Sequence, residues 1–92
     1  MALTRKELTR CLKALANERR IRIVQELLAA HVPLDIDAIA RRIRLSYPST
    51  TKHVAQLERC DFLERTRTGI TVYYRVRRSS ELLASVLRHL QR

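Results

Sequence analysis

Glycine is almost missing from this chain, with one among 92 residues, and only two prolines accompany it. Without Ser/Gly-rich or Pro-rich runs there is no linker, repeat array or low-complexity segment, so residues 1–92 read as one domain. Aromatic residues are scarce too: one Phe, three Tyr and no Trp. No apolar run approaches the ~18–20 residues that span a bilayer, and the first ten residues hold no signal-peptide core. From these absences no membrane partner is expected, and the cytoplasm is the expected compartment. The two cysteines, Cys11 and Cys60, are far apart in sequence and form no Cys-x-x-Cys pair. That spacing argues against a disulfide framework or a zinc knuckle. Acidic residues are also few. Nine Asp and Glu stand against nineteen Lys and Arg, a net charge of +10. Such an excess draws polyanions, so nucleic acid is the expected ligand.

Apolar periodicity then orders what is present. Leu8, Cys11, Leu12 and Leu15 share one stripe of a helix over about 4–15. Asn17 suits the N-cap of a second helix over 18–30, with Ile21, Val24, Leu27 and Leu28 inward. Asp35 suits the cap of a short third helix over 36–43. A turn at Arg44-Leu45 leads to a fourth helix, opened by Ser46 as cap and Pro48 in the first turn. Two helices so related form a helix-turn-helix. Alternating segments at 62–67 and 70–77, with Thr68-Gly69 as the turn, predict a β-hairpin. A last helix over 80–91 carries Leu82, Leu83, Val86, Leu87 and Leu90 on its apolar face. The order α-α-α-α-β-β-α is mainly α with a β-hairpin wing, a winged helix-turn-helix. A domain of this size buries only about 60–65% of its unfolded surface and gains from a partner chain. The surplus apolar surface on the first and last helices predicts a homodimer seam of Leu8, Cys11, Leu12, Leu83, Val86, Leu87 and Leu90.

The fourth helix carries the chemistry. Val54 and Leu57 form its apolar stripe, with Thr50 leading into it, while Tyr47, Ser49, Lys52, His53 and Gln56 lie on other sides. Hydroxyls, amides and a Lys on an outward helix face suit base edges and phosphates in a DNA major groove. Tyr47, Ser49, Thr50 and His53 are candidates for base edges. Thr51 and Lys52 are candidates for phosphates, and Arg65, Arg67 and Arg75 of the wing for the minor groove or backbone. Helix capping by Ser49 and a merely solvated charged hairpin are the plainer alternatives.

The segment from Leu45 to Leu63 resembles the recognition helix of ArsR-type winged-helix repressors, LSxPxVSKHLxxLExAGLV, at Leu45, Ser46, Pro48, Lys52, His53, Leu57, Glu58 and Leu63. Two more segments are similar to that family: Leu15–Val24 to its LADPTRLRIL, and Val72–Val76 to its VYYRL wing. The resemblance implies a homodimer on a near-palindromic operator, usually a repressor released by a signal. In this pattern Asp61 and Arg44 replace common glycines, which suggests a slightly different backbone at both places. Where many such proteins carry a Cys-x-Cys metal site, this chain has Asp35 and Asp37, which read as helix N-caps and dipole partners. Glu81 and His89 lack the Asp-x-His pair of the family's other metal site. No metal and no cofactor is expected, and the effector is left open. Some relatives respond to oxidants through cysteine pairs. Cys11 and Cys60 are therefore weighed as a redox pair beside the plainer reading of two buried structural residues. A nonspecific architectural DNA-binding protein and a protein-interaction module remain as competing classes. No Ser/His/Asp set, carboxylate pair or phosphate loop supports an enzyme.

Overall fold

The computed structural model describes residues 2–90. Helix α1 spans Arg5–Leu15, α2 Glu18–Ala30, α3 Ile36–Ile43 and α4 Tyr47–Arg59. Strands β1 (Leu63–Thr68) and β2 (Thr71–Val76) follow, and then α5 (Glu81–Leu87). This is the winged helix-turn-helix order read from the sequence.

Each helix start has a side-chain cap. Thr4 and Glu7 form a reciprocal box on α1, with Glu7 N–H donating to Thr4 Oγ1 at 3.1 Å and Thr4 N–H to Glu7 Oε1 at 2.9 Å. Asn17, Asp35, Ser46 and Ser80 accept from the backbone N–H three residues on in the next four helices. Asp35 is thereby spent as a cap, taking the Ala38 N–H at 2.9 Å, while Asp37 lies 3.4 Å from Arg41 one turn later.

The expected backbone change at Arg44 and Asp61 does not occur. Both hold the left-handed conformation themselves, at φ 56° and 57°. At Arg44 this lets Leu45 N–H reach back to Ala40 C=O at 3.0 Å and close α3 sharply, which sets the angle between α3 and α4. The helix-turn-helix therefore keeps a backbone that favours glycine and accepts the steric cost of a Cβ there.

The hairpin pairs Leu63 with Val76 through Thr68 with Thr71. Its two-residue turn is Gly69-Ile70, one place later than the expected Thr68-Gly69, because Gly69 supplies the positive φ of 63° at the first turn position. Leu34 adds a bridge to the outer side of β2, exchanging both backbone bonds with Tyr74 at 2.9 and 2.8 Å. One isolated residue has no period, so this bridge carries no sequence signal.

The core is continuous from Ile23 and Val24 of α2 through Ile39, Val54 and Leu57 to Phe62 and Leu83. Leu83 is 1% exposed and Cys11 2% exposed, so both are spent on the protomer's own core rather than on a seam. Leu8, Leu12 and Leu90 do remain exposed, and Val86 and Leu87 are half-buried. Helix α5 stops at Leu87, short of the expected 91, where His89 and Leu90 N–H groups tighten to bonds three residues back. Residue 91 lies outside the described residues.

A further correction concerns the cysteines. Cys11 and Cys60, 49 residues apart, are joined by a disulfide, with their Cα atoms 5.5 Å apart. Sequence spacing hid this because α1 folds back across the far end of α4, bringing the middle of one helix to the cap of the other.

Candidate nucleic-acid interface

Helix α4 presents three lengthwise strips. Thr50, Val54 and Leu57 are buried and anchor it to the core. Thr50 is fully buried, with its Oγ1 donating to Ser46 C=O at 2.8 Å. It cannot reach a base edge, which corrects the expectation for this residue. The hydroxyl lies at the apolar stripe's own spacing, and its bond back one turn satisfies it there.

The outward strip begins with Tyr47, 57% exposed, and continues through Pro48, Thr51 and Lys52. Thr51 Oγ1 donates to Tyr47 C=O at 3.0 Å, so its lone pairs remain open to a donor outside. Ser49 N–H is taken by the cap oxygen of Ser46 at 3.2 Å, leaving the half-buried Ser49 hydroxyl free of capping duty.

His53 lies on the strip facing α2. Arg20 Nη1 is 3.5 Å from His53 Nδ1, and Arg20 Nε donates to Ala14 C=O at 2.7 Å. One guanidinium thus ties the end of α1, the start of α2 and the middle of α4 together. A guanidinium can only donate, so Nδ1 is the acceptor and the ring proton sits on Nε2. Burial pushes the His53 pKa down, and the positive charges of Arg20 and Arg19 push the same way. Both effects favour the neutral imidazole. Arg20 was not singled out from the sequence. Its signal, an Arg three residues after a capping Asn, is too common to stand out.

The wing arginines do not form one line. Arg65 and Arg67 share a hairpin face with Val72 and Tyr74, whereas Arg75 stands opposite Glu64 on the other face. Arg75 Nε is 3.0 Å from Glu64 Oε2, Arg77 Nη1 is 3.8 Å from Glu64 Oε1, and Arg65 Nε is 3.8 Å from Glu58 Oε2. Arg67, near the tip, instead donates from Nε to Gly69 C=O at 3.1 Å. Tyr74 is buried against the core, and that burial raises its pKa.

On the other side of α4, a groove of about 730 Å³ is lined by Arg5, Lys6, Arg10 and Lys13 of α1, Arg20 of α2 and Gln56 of α4. The sequence could have shown it, because Lys6, Arg10 and Lys13 recur at helical spacing on the flank of α1 away from Leu8 and Leu12. Among the described residues, no three His, Cys, Asp or Glu side chains come together as a metal site, and no helix is long and apolar enough to cross a membrane.

No family model and no curated protein matches this chain by sequence. Solved structures do match by fold. NolR from Sinorhizobium fredii superposes with a TM-score of 0.79 at 22% identity, over 96% of this chain and 90% of that one. HlyU from Vibrio cholerae gives 0.74 at 28% identity, over 96% and 91%. A possible ArsR-family transcriptional regulator from Mycobacterium bovis, solved in solution as a homodimeric winged helix-turn-helix DNA-binding domain, gives 0.71 at 25% identity, over 95% and 89%. The likeness to ArsR-type winged-helix regulators, read first from three sequence segments, is thus matched by nearly the whole fold.

Proposed function

We propose that this protein is a homodimeric, sequence-specific DNA-binding transcriptional regulator, a repressor acting on a near-palindromic operator in the cytoplasm. The observation that carries this reading is the outward strip of α4. A capped helix, fixed by its buried strip to the core, holds exposed Tyr47, Thr51 and Lys52 and half-buried Ser49 and His53 where no other part of the protomer covers them fully. Tyr47, Ser49 and His53 are assigned to base edges and Thr51 and Lys52 to phosphates. Arg67, with Arg65 and Arg75 behind their carboxylates, is assigned to the backbone beside the wing. Two such helices in one dimer reach successive major grooves about 34 Å apart. Exposed Leu8, Leu12 and Leu90, with half-buried Val86 and Leu87, supply the seam. The similar Mycobacterium bovis domain is described as homodimeric and DNA-binding, which supports the same assignment here.

Selection from a random duplex library at near-physiological salt tests the reading. Enrichment of a two-fold symmetric motif, with half-sites about one helical turn apart, is the expected result. Uniform retention of all duplexes would replace it with nonspecific DNA coating. Retention of none would replace it with a protein-binding role.

The disulfide favours a second, compatible reading, in which the regulator responds to thiol redox state. Cytoplasmic disulfides are usually transient and sensing rather than structural. The Cys11–Cys60 bond joins α1 to the end of the recognition helix. A dithiol reductant would convert the bond to two thiols and itself become a disulfide, releasing α1 from α4. Equal operator affinity in diamide and in excess dithiothreitol would exclude this control.

A further inference from the structure

We infer that the groove between α1 and α4 is a phosphate-backbone site, occupied by the stretch of duplex between the two half-sites. This deepens the DNA-binding reading and rests on it.

The first observation is charge with little compensation: Arg10 helps lower the Glu7 pKa, but the groove's cations form no close ion pair among the described residues. Among the described residues that line the groove, five are cationic and none is acidic. Among the described residues, none of the five lies within 4.0 Å of a carboxylate oxygen, while Arg65, Arg75 and Arg77 on the wing side all do. Like charges gathered along one groove repel each other and concentrate anions there. A duplex backbone, with one charge per about 1.7 Å of axis, supplies several phosphates to such a groove at once. Arginine forks match phosphate oxygens in pairs, lysines act as point charges, and the Gln56 amide adds neutral donors.

The second observation is continuity with the reading helix. Arg20 lines the groove and also holds His53, so the groove opens directly beside the base-reading strip. Ordering of α1 is the third. Cys11, Ala14 and Leu15 face the core, exposed Leu8 and Leu12 lie on one flank, and Lys6, Arg10 and Lys13 on the other. With the apolar flank at the dimer seam, the basic flank falls between seam and recognition helix. That places the groove on the two-fold side of each α4 and the wing on the far side. The DNA it meets is therefore the spacer between half-sites. Backbone contacts of this kind add affinity on any sequence and carry no base preference.

The test compares wild type with a Lys6→Gln, Arg10→Gln, Lys13→Gln variant. All three side chains are exposed, and Gln keeps the helix propensity of α1. Arg41→Gln, Arg78→Gln, Arg88→Gln removes the same charge from exposed sites outside the groove. Binding is read by fluorescence anisotropy across a salt series, on the selected operator and on an unrelated duplex. The groove variant is expected to lose roughly tenfold or more at 0.15 M salt on both duplexes alike, with a salt slope shallower by about one per lost phosphate contact. The control variant is expected to lose much less. Methylphosphonates in the spacer should weaken wild type and leave the groove variant unchanged. Equal losses in the two variants would overturn the groove as a site, and sensitivity to methylphosphonates outside the half-sites alone would overturn its placement. Failure of wild type to retain any duplex would overturn the DNA reading and this inference together.

Discussion

The two flanks of the recognition helix carry the same sign of charge and treat it in opposite ways. On the wing flank, Glu58 and Glu64 hold Arg65, Arg75 and Arg77 at 3.0–3.8 Å. On the α1 flank, Lys6, Arg10 and Lys13 meet no carboxylate at that range among the described residues, and Arg20 turns its donors to a carbonyl and an imidazole. Paired arginines shape the hairpin and project little field beyond it. On the α1 flank Arg20 braces the scaffold, while the exposed Lys6, Arg10 and Lys13 supply the long-range attraction. Net charge therefore states the partner class, while the distribution of carboxylates states which side of the helix attracts it first.

The largest effect on stability is expected where a cation is built into the scaffold. Arg20→Ala leaves the Ala14 carbonyl and His53 Nδ1 without a donor and uncouples α1, α2 and α4. A loss of about 1.5–3 kcal/mol is expected, the range for hydrogen bonds to a charged group. Arg75→Ala on the wing removes a solvent-exposed pair and should cost under about 1 kcal/mol. Urea unfolding of both variants measures the difference. Equal losses would mean that the flanks do not differ in the way described.

Glu64→Gln approaches the same contrast from the other side. It releases Arg75 and Arg77 and should make the wing behave like the α1 flank. The salt dependence of duplex binding is expected to steepen by about one contact, with a stability change within about 1 kcal/mol. Anisotropy at several salt concentrations reads the slope, and an unchanged slope would place both arginines away from the backbone.

Helix positions were legible because capping residues and apolar period mark them together. Asn17, Asp35 and Ser46 each cap the helix that the spacing had located. What escaped was through-space. Nothing in the spacing of Cys11 and Cys60 reports that α1 crosses the end of α4, and nothing local reports that Leu83 or Cys11 turns inward rather than toward a partner. Thr50 was legible as part of the apolar stripe and wrong as a base contact, since a hydroxyl bonded back to Ser46 packs as an apolar residue does. The glycine-like positions show a third limit. A sequence pattern can say that Arg44 and Asp61 depart from glycine, but not that the backbone stays left-handed despite them. Arg44→Gly and Asp61→Gly should each raise stability by about 0.5–1 kcal/mol, the relief of a Cβ clash less the added freedom of the unfolded chain. Thermal unfolding of the two variants checks the sign.

The smallest expected effect concerns His53, whose pKa the fold shifts. Its folded pKa lies below the ordinary 6.5 because burial and the charges of Arg20 and Arg19 disfavour the imidazolium. As the pH falls through 6.5, the unfolded chain takes up the proton first, so the folded state loses stability until the pH passes the lower folded value. Above 6.5 both states hold the neutral ring and this loss is absent. His53→Gln leaves an acceptor for Arg20 and no proton to bind, so its melting temperature should fall less than wild type's between pH 7.5 and 5.5. The same proton would reverse Nδ1 from acceptor to donor against Arg20, so acid should also loosen the α1 flank while the wing flank, held by carboxylates, keeps its geometry. Parallel melting curves for wild type and variant across that range would show that His53 is not held by Arg20 in the way the geometry describes.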